Sequence, residues 1–311
     1  MNNKPKLIAV VGPTASGKTS LSVELALKLD GEIISADSMQ IYKGMDIATA
    51  KPSDEEKKGI PHHIMDFLDP SEVFSVSRFV SMAHSVAEDI IYRGKMPILC
   101  GGTGLYVRSF IENIRFSDEK SDPELREKLL ERYKNEGGEA LIRELAEYDP
   151  DTASQLIPSA YKRIIRAIEI YTITGIPMSE WVKRSREVPS PYDSLVIGIT
   201  FSDRQILYDR INKRVDIMLE KGLIEEARKF YSSDISQTAA AAIGYKELYP
   251  YLEGKLSLEE AVENLKKETR HYAKRQLTWF RRDKYIKWIE SDRCENISDE
   301  ALRIIREEKF F

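Results

Sequence analysis

The chain has 311 residues, long enough for two domains or for one domain carrying an insertion. Lys and Arg number 47 against 51 Asp and Glu, a net charge of −4, which excludes a uniformly basic nucleic-acid binder but leaves room for a locally basic one. With 42% hydrophobic and 32% charged residues and only two cysteines, Cys100 and Cys294, the composition is that of a globular protein of a reducing compartment, not a disordered chain, a disulfide scaffold or a four-cysteine zinc module.

The first apolar run, Leu7 to Val11, is too short for a signal-peptide core or a membrane span, so a cytoplasmic protein with no membrane association is expected. A continuous apolar run of that length reads as a strand buried on both faces of a parallel sheet. Helical periodicity follows from Lys18 to Leu29, through Leu21, Leu25 and Leu29. Between strand and helix, Gly12-Pro13-Thr14-Ala15-Ser16-Gly17-Lys18-Thr19 matches the phosphate-loop pattern G-x-x-x-x-G-K-[ST] in full. Such a loop curls backbone N–H groups round phosphate oxygens, Lys18 adds a point charge, and the Thr19 hydroxyl can hold Mg²⁺. The motif does not say which phosphates are held; ATP, GTP and a diphosphate ester satisfy the same geometry.

The second apolar run, Glu32 to Ala36, ends on Asp37-Ser38-Met39-Gln40, which an open parallel sheet places at its carboxyl edge beside the phosphate loop. Position alone leaves three roles open for Asp37: a Mg²⁺ partner, a general base, or a cap on the following turn. His62-His63 lacks a metal-ligand pattern, and zinc is not expected there. A third run, Met96 to Cys100, leads into Gly101-Gly102-Thr103-Gly104, a second glycine loop on the same edge. From Asp118 to about Tyr192 strand-like runs give way to charged helical stretches, including Pro123 to Tyr133 and Glu139 to Tyr148. The expected architecture is therefore α/β, a parallel sheet of P-loop NTPase type flanked by helices, formed by residues 1–117 and 193–311, with an all-helical insertion at 118–192. After a strand at Leu195 to Thr200 the chain is expected to be helical to its end. Arg210 and Arg214 fall one turn apart on the first of these helices. Ser257-Leu258-Glu259-Glu260 forms a capping box for a long basic helix. Residues 266–287 hold nine Lys or Arg against two acids, interleaved with Tyr272, Trp279 and Phe280. Basic groups and aromatic faces are the usual equipment of single-strand RNA recognition, although core packing is the simpler fate of the aromatics.

Six motifs in order, the phosphate loop, Asp37-Ser38-Met39-Gln40-Ile41-Tyr42, Pro61-His62-His63, Gly101-Gly102-Thr103-Gly104-Leu105-Tyr106, Ile243-Gly244-Tyr245-Lys246 and Lys274-Arg275-Gln276-Leu277-Thr278-Trp279-Phe280-Arg281, resemble the tRNA dimethylallyltransferase (isopentenyltransferase) family, in its bacterial form, across nearly the whole chain. The resemblance implies transfer of a dimethylallyl group from dimethylallyl diphosphate to N6 of the adenosine at tRNA position 37, just 3′ of the anticodon. It implies Asp37 as general base, Thr103 positioning the amine and the diphosphate, and Arg214 as a diphosphate ligand. The phosphate loop, Gly12 to Thr19, would hold the leaving diphosphate with Mg²⁺ at Thr19. Contacts to tRNA are implied for Asp37, Ser38, Met39, Gln40 and Thr103, for Arg126, Lys162, Arg163 and Arg166 of the insertion, for Gly244, Tyr245 and Lys246, and for Lys274, Arg275, Gln276, Trp279 and Arg281. The chain departs from the family pattern at Ser159-Ala160-Tyr161 and at Ala239 to Ala242. A monomer is expected, because a clasp round an RNA stem needs no second subunit. The competing readings are a P-loop kinase of a small metabolite, prenyl transfer to free AMP, and a non-catalytic RNA binder. An obvious arginine-rich nucleotide lid is missing from the sequence, and the insertion and basic helix speak for a large RNA substrate.

Overall fold

The computed structural model describes residues 4–116 and 122–310. In chain order the elements are β1 (Lys6–Val11), α1 (Lys18–Leu29), β2 (Gly31–Ser35), β3 (His62–His63), α2 (Val76–Tyr92), β4 (Met96–Gly101), α3 (Gly104–Ile111), α4 (Pro123–Glu136), α5 (Gly138–Tyr148), α6 (Tyr161–Thr174), α7 (Met178–Arg184), β5 (Asp193–Thr200), α8 (Arg204–Glu220), α9 (Leu223–Tyr231), α10 (Leu258–Phe280), β6 (Lys287–Glu290) and α11 (Ile297–Glu307). Short helical turns lie at Asp54–Lys57, Pro150–Ala153, Gln237–Ala240 and Tyr249–Leu252. The chain divides into two compact units, residues 1–111 with 190–311, and residues 112–189. The boundary expected at Asp118 lies outside the described residues, and the return to the larger unit comes at Ser190 rather than at 193.

The larger unit is a six-stranded, all-parallel sheet in the order β3-β2-β4-β1-β5-β6. Leu7 to Val11 of β1 are fully buried, as a strand covered on both faces requires. Ile8 and Val10 join Ile33, Ile98, Ile197 and Ile199 in a layer with Leu21 and Leu25 of α1 and Ile304 and Ile305 of α11. Leu7, Ala9 and Val11 alternate to the other face. The parallel register brings the carboxyl ends of β1, β2 and β4 to one edge, so the segments after Val11, Ser35 and Gly101 emerge side by side. Two strands differ from the sequence expectation. His62–His63 is a two-residue edge strand on β2, and Lys287–Glu290 is a sixth strand on β5, so the chain is not helical to its end. The basic helix accordingly stops at Phe280; its capping box is formed, with Glu260 N–H donating to Ser257 Oγ at 3.2 Å and Ser257 N–H to Glu260 Oε2 at 2.8 Å.

Among the described residues the regular elements of the smaller unit are all helices. Leu129 of α4, Leu141 and Leu145 of α5, and Ile164, Ile165 and Ile168 of α6 form its core. Asp149 is fully buried and joins two elements, accepting from Thr152 N–H at 3.1 Å and from Ser179 N–H of α7 at 3.0 Å.

Candidate active site

The phosphate loop turns into α1 through Gly17, whose φ of 98° lies in the left-handed region that favours glycine. No side chain caps α1, which leaves the N–H groups of its first turn facing the cleft. Lys18 donates from Nζ to Pro13 O at 2.7 Å, and its burial pulls the ammonium down to about 8. Thr19 lines the cleft, and its hydroxyl has no hydrogen-bond partner among the described residues. Arg210 donates from Nε to Ala15 O at 2.9 Å, lies over the Phe201 ring and also lines the cleft, so it braces the loop from the side of α8. Arg214, one turn on, lines the cleft; burial lowers its pKa while the Asp37 charge opposes that shift.

Asp37 sits at the carboxyl end of β2. Its Oδ1 accepts from Met39 N–H at 2.9 Å and Gln40 N–H at 3.4 Å, which fixes the carboxylate, while Oδ2 accepts no hydrogen bond among the described residues. The capping geometry and a free basic oxygen therefore coexist in one side chain. Thr103 Oγ1 accepts from Ser38 N–H at 3.1 Å, joining the second glycine loop to this turn. Gln40 is turned inward: Nε2 donates to Thr49 O at 3.1 Å and Ala50 O at 3.2 Å, and Oε1 accepts from Ser35 Oγ at 3.3 Å. Its amide is not open to a base edge, because polar groups of the strand end and the following loop surround it.

Other residues assigned to RNA by resemblance also hold protein. Gln276 is buried, accepting from Thr14 N–H at 2.8 Å and donating to Gly102 O at 3.0 Å. Trp279 packs on Gly104, where a Cβ would lie 2.1 Å from the indole. Tyr245 is fully buried, and its hydroxyl donates to Glu226 Oε1 at 2.8 Å. Glu226, which sequence reasoning missed, also accepts from Asp46 N–H at 2.9 Å, Ile47 N–H at 2.8 Å and Ala48 N–H at 2.9 Å. Gly244 donates from N–H to Glu247 Oε2 at 2.9 Å, and a Cβ there would meet Ala48 at 3.0 Å. The Ile243-Gly244-Tyr245 motif therefore braces the 46–48 backbone, while Lys246 next to it is half exposed. No local pattern marks Glu226; the signal is three-dimensional, a run of successive N–H groups needing one acceptor.

Loops 14–20, 37–40 and 46–54 together with Arg214, Ala242 and Tyr272 enclose a cleft of about 1590 Å³. Arg275 lines it and is exposed, as is Lys274. Arg281 lies instead in a separate cleft of about 1010 Å³ beside β6 and the start of α11. In the smaller unit Lys162 and Arg163 are exposed, but Arg126 and Arg166 are ion-paired with the fully buried Glu169, at 2.8 and 2.7 Å. Burial alone would raise the Glu169 pKa; Arg126 and Arg166 bring it below the usual carboxylate range. The histidine pair is likewise structural: His63 Nε2 lies 2.7 Å from Glu32, and His62 Nδ1 lies 2.8 Å from Ile60 O.

A parallel sheet whose carboxyl edge gathers a glycine loop, a fixed carboxylate with one open oxygen and a half-buried arginine in one cleft defines an α/β protein with the layout of an enzyme. Comparison with known proteins narrows that class. Residues 40–283 match the family model described as IPP transferase, and residues 5–67 one described as isopentenyl transferase. The chain belongs to the IPP transferase family and is a prenyl-transferring enzyme. It is 50% identical to the tRNA dimethylallyltransferase of Acetivibrio thermocellus, over 98% of this chain and 96% of the relative. It is 49% identical to that of Halalkalibacterium halodurans, over 92% and 91%. Among solved structures it resembles the tRNA isopentenylpyrophosphate transferase of Bacillus halodurans (45% identity, TM-score 0.72, 98% and 96% covered). It also resembles a eukaryotic dimethylallyltransferase solved acting on tRNA (33% identity, TM-score 0.82, 98% and 79% covered). Among the described residues no helix is long and apolar enough to cross a membrane.

Proposed function

We propose that the enzyme transfers the dimethylallyl group of dimethylallyl diphosphate to N6 of the adenosine at tRNA position 37, releasing diphosphate. The observation that carries this reading is Asp37, held through Oδ1 while Oδ2 stays open in the same cleft as the phosphate loop and Arg214. The allylic C–O bond breaks as C1 bonds to N6, and the N6 proton passes to Asp37 Oδ2. Charge growing on the departing diphosphate meets the N–H groups of residues 15 and 17–19, Lys18 and Arg214. Thr103, tied to Ser38, orients the amine and the diphosphate. The open Thr19 hydroxyl is a hard oxygen donor of the kind Mg²⁺ takes, with substrate oxygens and water completing its shell. Bound there, the ion would supply further positive charge to the leaving group.

A duplex-free base must be turned out of the anticodon loop to reach this cleft. Exposed Lys246, Lys274 and Arg275 of the larger unit and Lys162 and Arg163 of the smaller one are the cations we assign to tRNA phosphates. The active form is a cytoplasmic monomer. The test is direct: incubate the purified protein with Mg²⁺, dimethylallyl diphosphate and unmodified tRNA, then digest and weigh the nucleosides. Dimethylallyl adenosine from the position 3′ of the anticodon is expected. An unchanged adenosine mass, or label on free AMP alone, would overturn the reading.

A further inference from the structure

The buried amide of Gln276 joins two peptide groups that belong to different halves of the site. Its Oε1 accepts from Thr14 N–H at 2.8 Å, and its Nε2 donates to Gly102 O at 3.0 Å. The partners fix the amide orientation, since an N–H must face an acceptor and a carbonyl a donor. Each peptide group is engaged again on its other side. The carbonyl of the Pro13–Thr14 peptide accepts from Lys18 Nζ at 2.7 Å. The N–H of the Gly102–Thr103 peptide donates to Ala36 O at 3.3 Å, immediately before Asp37. A single chain of hydrogen bonds thus runs from the Lys18 ammonium through Pro13–Thr14, Gln276 and Gly102–Thr103 to Ala36, every donor pointing the same way. Such chains polarise one another in a low-dielectric interior. No substitute fits easily at Gly102, where a Cβ would lie 2.2 Å from the Gln276 amide nitrogen.

We propose that Gln276 is a positioning residue that couples occupancy of the phosphate loop to the placement of Thr103 and Asp37, and is not a tRNA contact. A diphosphate in the loop accepts from a further N–H of the Lys18 ammonium and so holds that ammonium in place on Pro13 O. Gln276 keeps the Thr14 N–H directed and passes the restraint on that peptide to the Gly102 carbonyl. Filling the donor site therefore tightens the loop that carries Thr103. The proposal rests on the diphosphate reading of the phosphate loop, and the experiment separates the two.

The full chain is followed by amide hydrogen exchange with and without inorganic pyrophosphate and Mg²⁺, in the wild type, Gln276→Met and Gln276→Glu. In the wild type pyrophosphate should slow exchange in 12–19 and also in 101–106, the latter about fivefold or more. Met removes both links, so protection should remain in 12–19 and fall below about twofold in 101–106. Glu keeps both links while protonated and sets an oxygen against Gly102 O once ionised, so the loss at 101–106 should appear as pH rises through the titration of this buried carboxyl, even if Met destabilises the fold. On tRNA both variants should lower kcat more than they raise KM for tRNA, the reverse of the split that loss of an RNA contact gives. Equal protection of 101–106 in all three proteins, or protection confined to 12–19 in the wild type, would sink the coupling alone. No protection of 12–19 in the wild type would overturn the diphosphate reading and the coupling with it.

Discussion

Tyr245 is where the family resemblance and the structure make different predictions. The resemblance places it on tRNA, whereas the structure buries it completely and spends its hydroxyl on Glu226 at 2.8 Å. Tyr245→Phe keeps the ring packing against Phe230, at 5.3 Å between centroids, and removes only that oxygen. A hydrogen bond to a charged acceptor contributes about 1.5–3 kcal/mol. Glu226 keeps three backbone N–H donors, so the low end applies, about 1.5 kcal/mol. With a urea slope near ~3 kcal/mol/M for a chain of this size, the unfolding midpoint should fall by about 0.5 M. Affinity for tRNA should stay within about twofold, less than 0.5 kcal/mol, because no part of the side chain reaches solvent. The exposed neighbour Lys246 gives the contrast: Lys246→Ala should leave the midpoint alone and reduce the slope of log affinity against log salt by about one. An unchanged midpoint for Tyr245→Phe together with a tenfold loss of tRNA affinity, about 1.4 kcal/mol, would refute the bracing role.

Glu32, buried between Arg93 at 2.5 Å and His63 at 2.7 Å, has its pKa brought down from 4.5 to about 2, chiefly by the hydrogen-bonded Arg93 guanidinium. Its folded-state pKa is depressed, so the stabilisation of about 3 kcal/mol is complete above pH ~4.5 and is lost as pH falls through ~2. Glu32→Gln should therefore lower stability at pH 7 by about that amount, with about 1.4 kcal/mol of the gap to wild type closed by pH ~3.5 in urea titrations; a gap that does not narrow would contradict the assignment. Lys18, brought to about 8 by burial, must be protonated to hold an anion. Pyrophosphate affinity should decline by up to about tenfold per pH unit above pH ~8 with proton uptake on binding, measurable by calorimetry in two buffers. Lys18→Met should abolish that dependence, and an affinity flat from pH ~7 to ~9 would argue against it.

Much of the catalytic edge was legible in the sequence because its signals are local. A strand buried on both faces has to be apolar without interruption, and the phosphate loop has to follow it, so Leu7 to Leu29 could be read residue by residue. The places of Asp37 and Thr103 at strand ends could be read as well, while the roles given to them came from the family resemblance. The strand His62–His63 is too short to carry a pattern, and Lys287–Glu290 continues the charged composition of the helix before it, so both escaped. What composition could not separate was a polar side chain serving RNA from one serving backbone. Gln40, Gln276, Tyr245, Arg126 and Arg166 all have groups that bind RNA elsewhere, but each is engaged inside the protein, Gln276, Tyr245 and Arg126 by partners distant in sequence and Gln40 and Arg166 by nearer ones that no periodicity marks. Glu226 was invisible for the same reason, since its partners at 46–48 lie on another segment of the larger unit.

The account stands on the open oxygen of Asp37, and Asp37→Asn tests it with the least disturbance, since Oδ1 can still accept from Met39 and Gln40. The measurement is the single-turnover rate of dimethylallyl transfer to tRNA, with tRNA affinity determined on the same protein. The rate should fall by about 10²–10⁴-fold, as expected for loss of a general base, while the affinity changes by less than about threefold. An Asp37→Asn enzyme that transfers the prenyl group at the wild-type rate would contradict it.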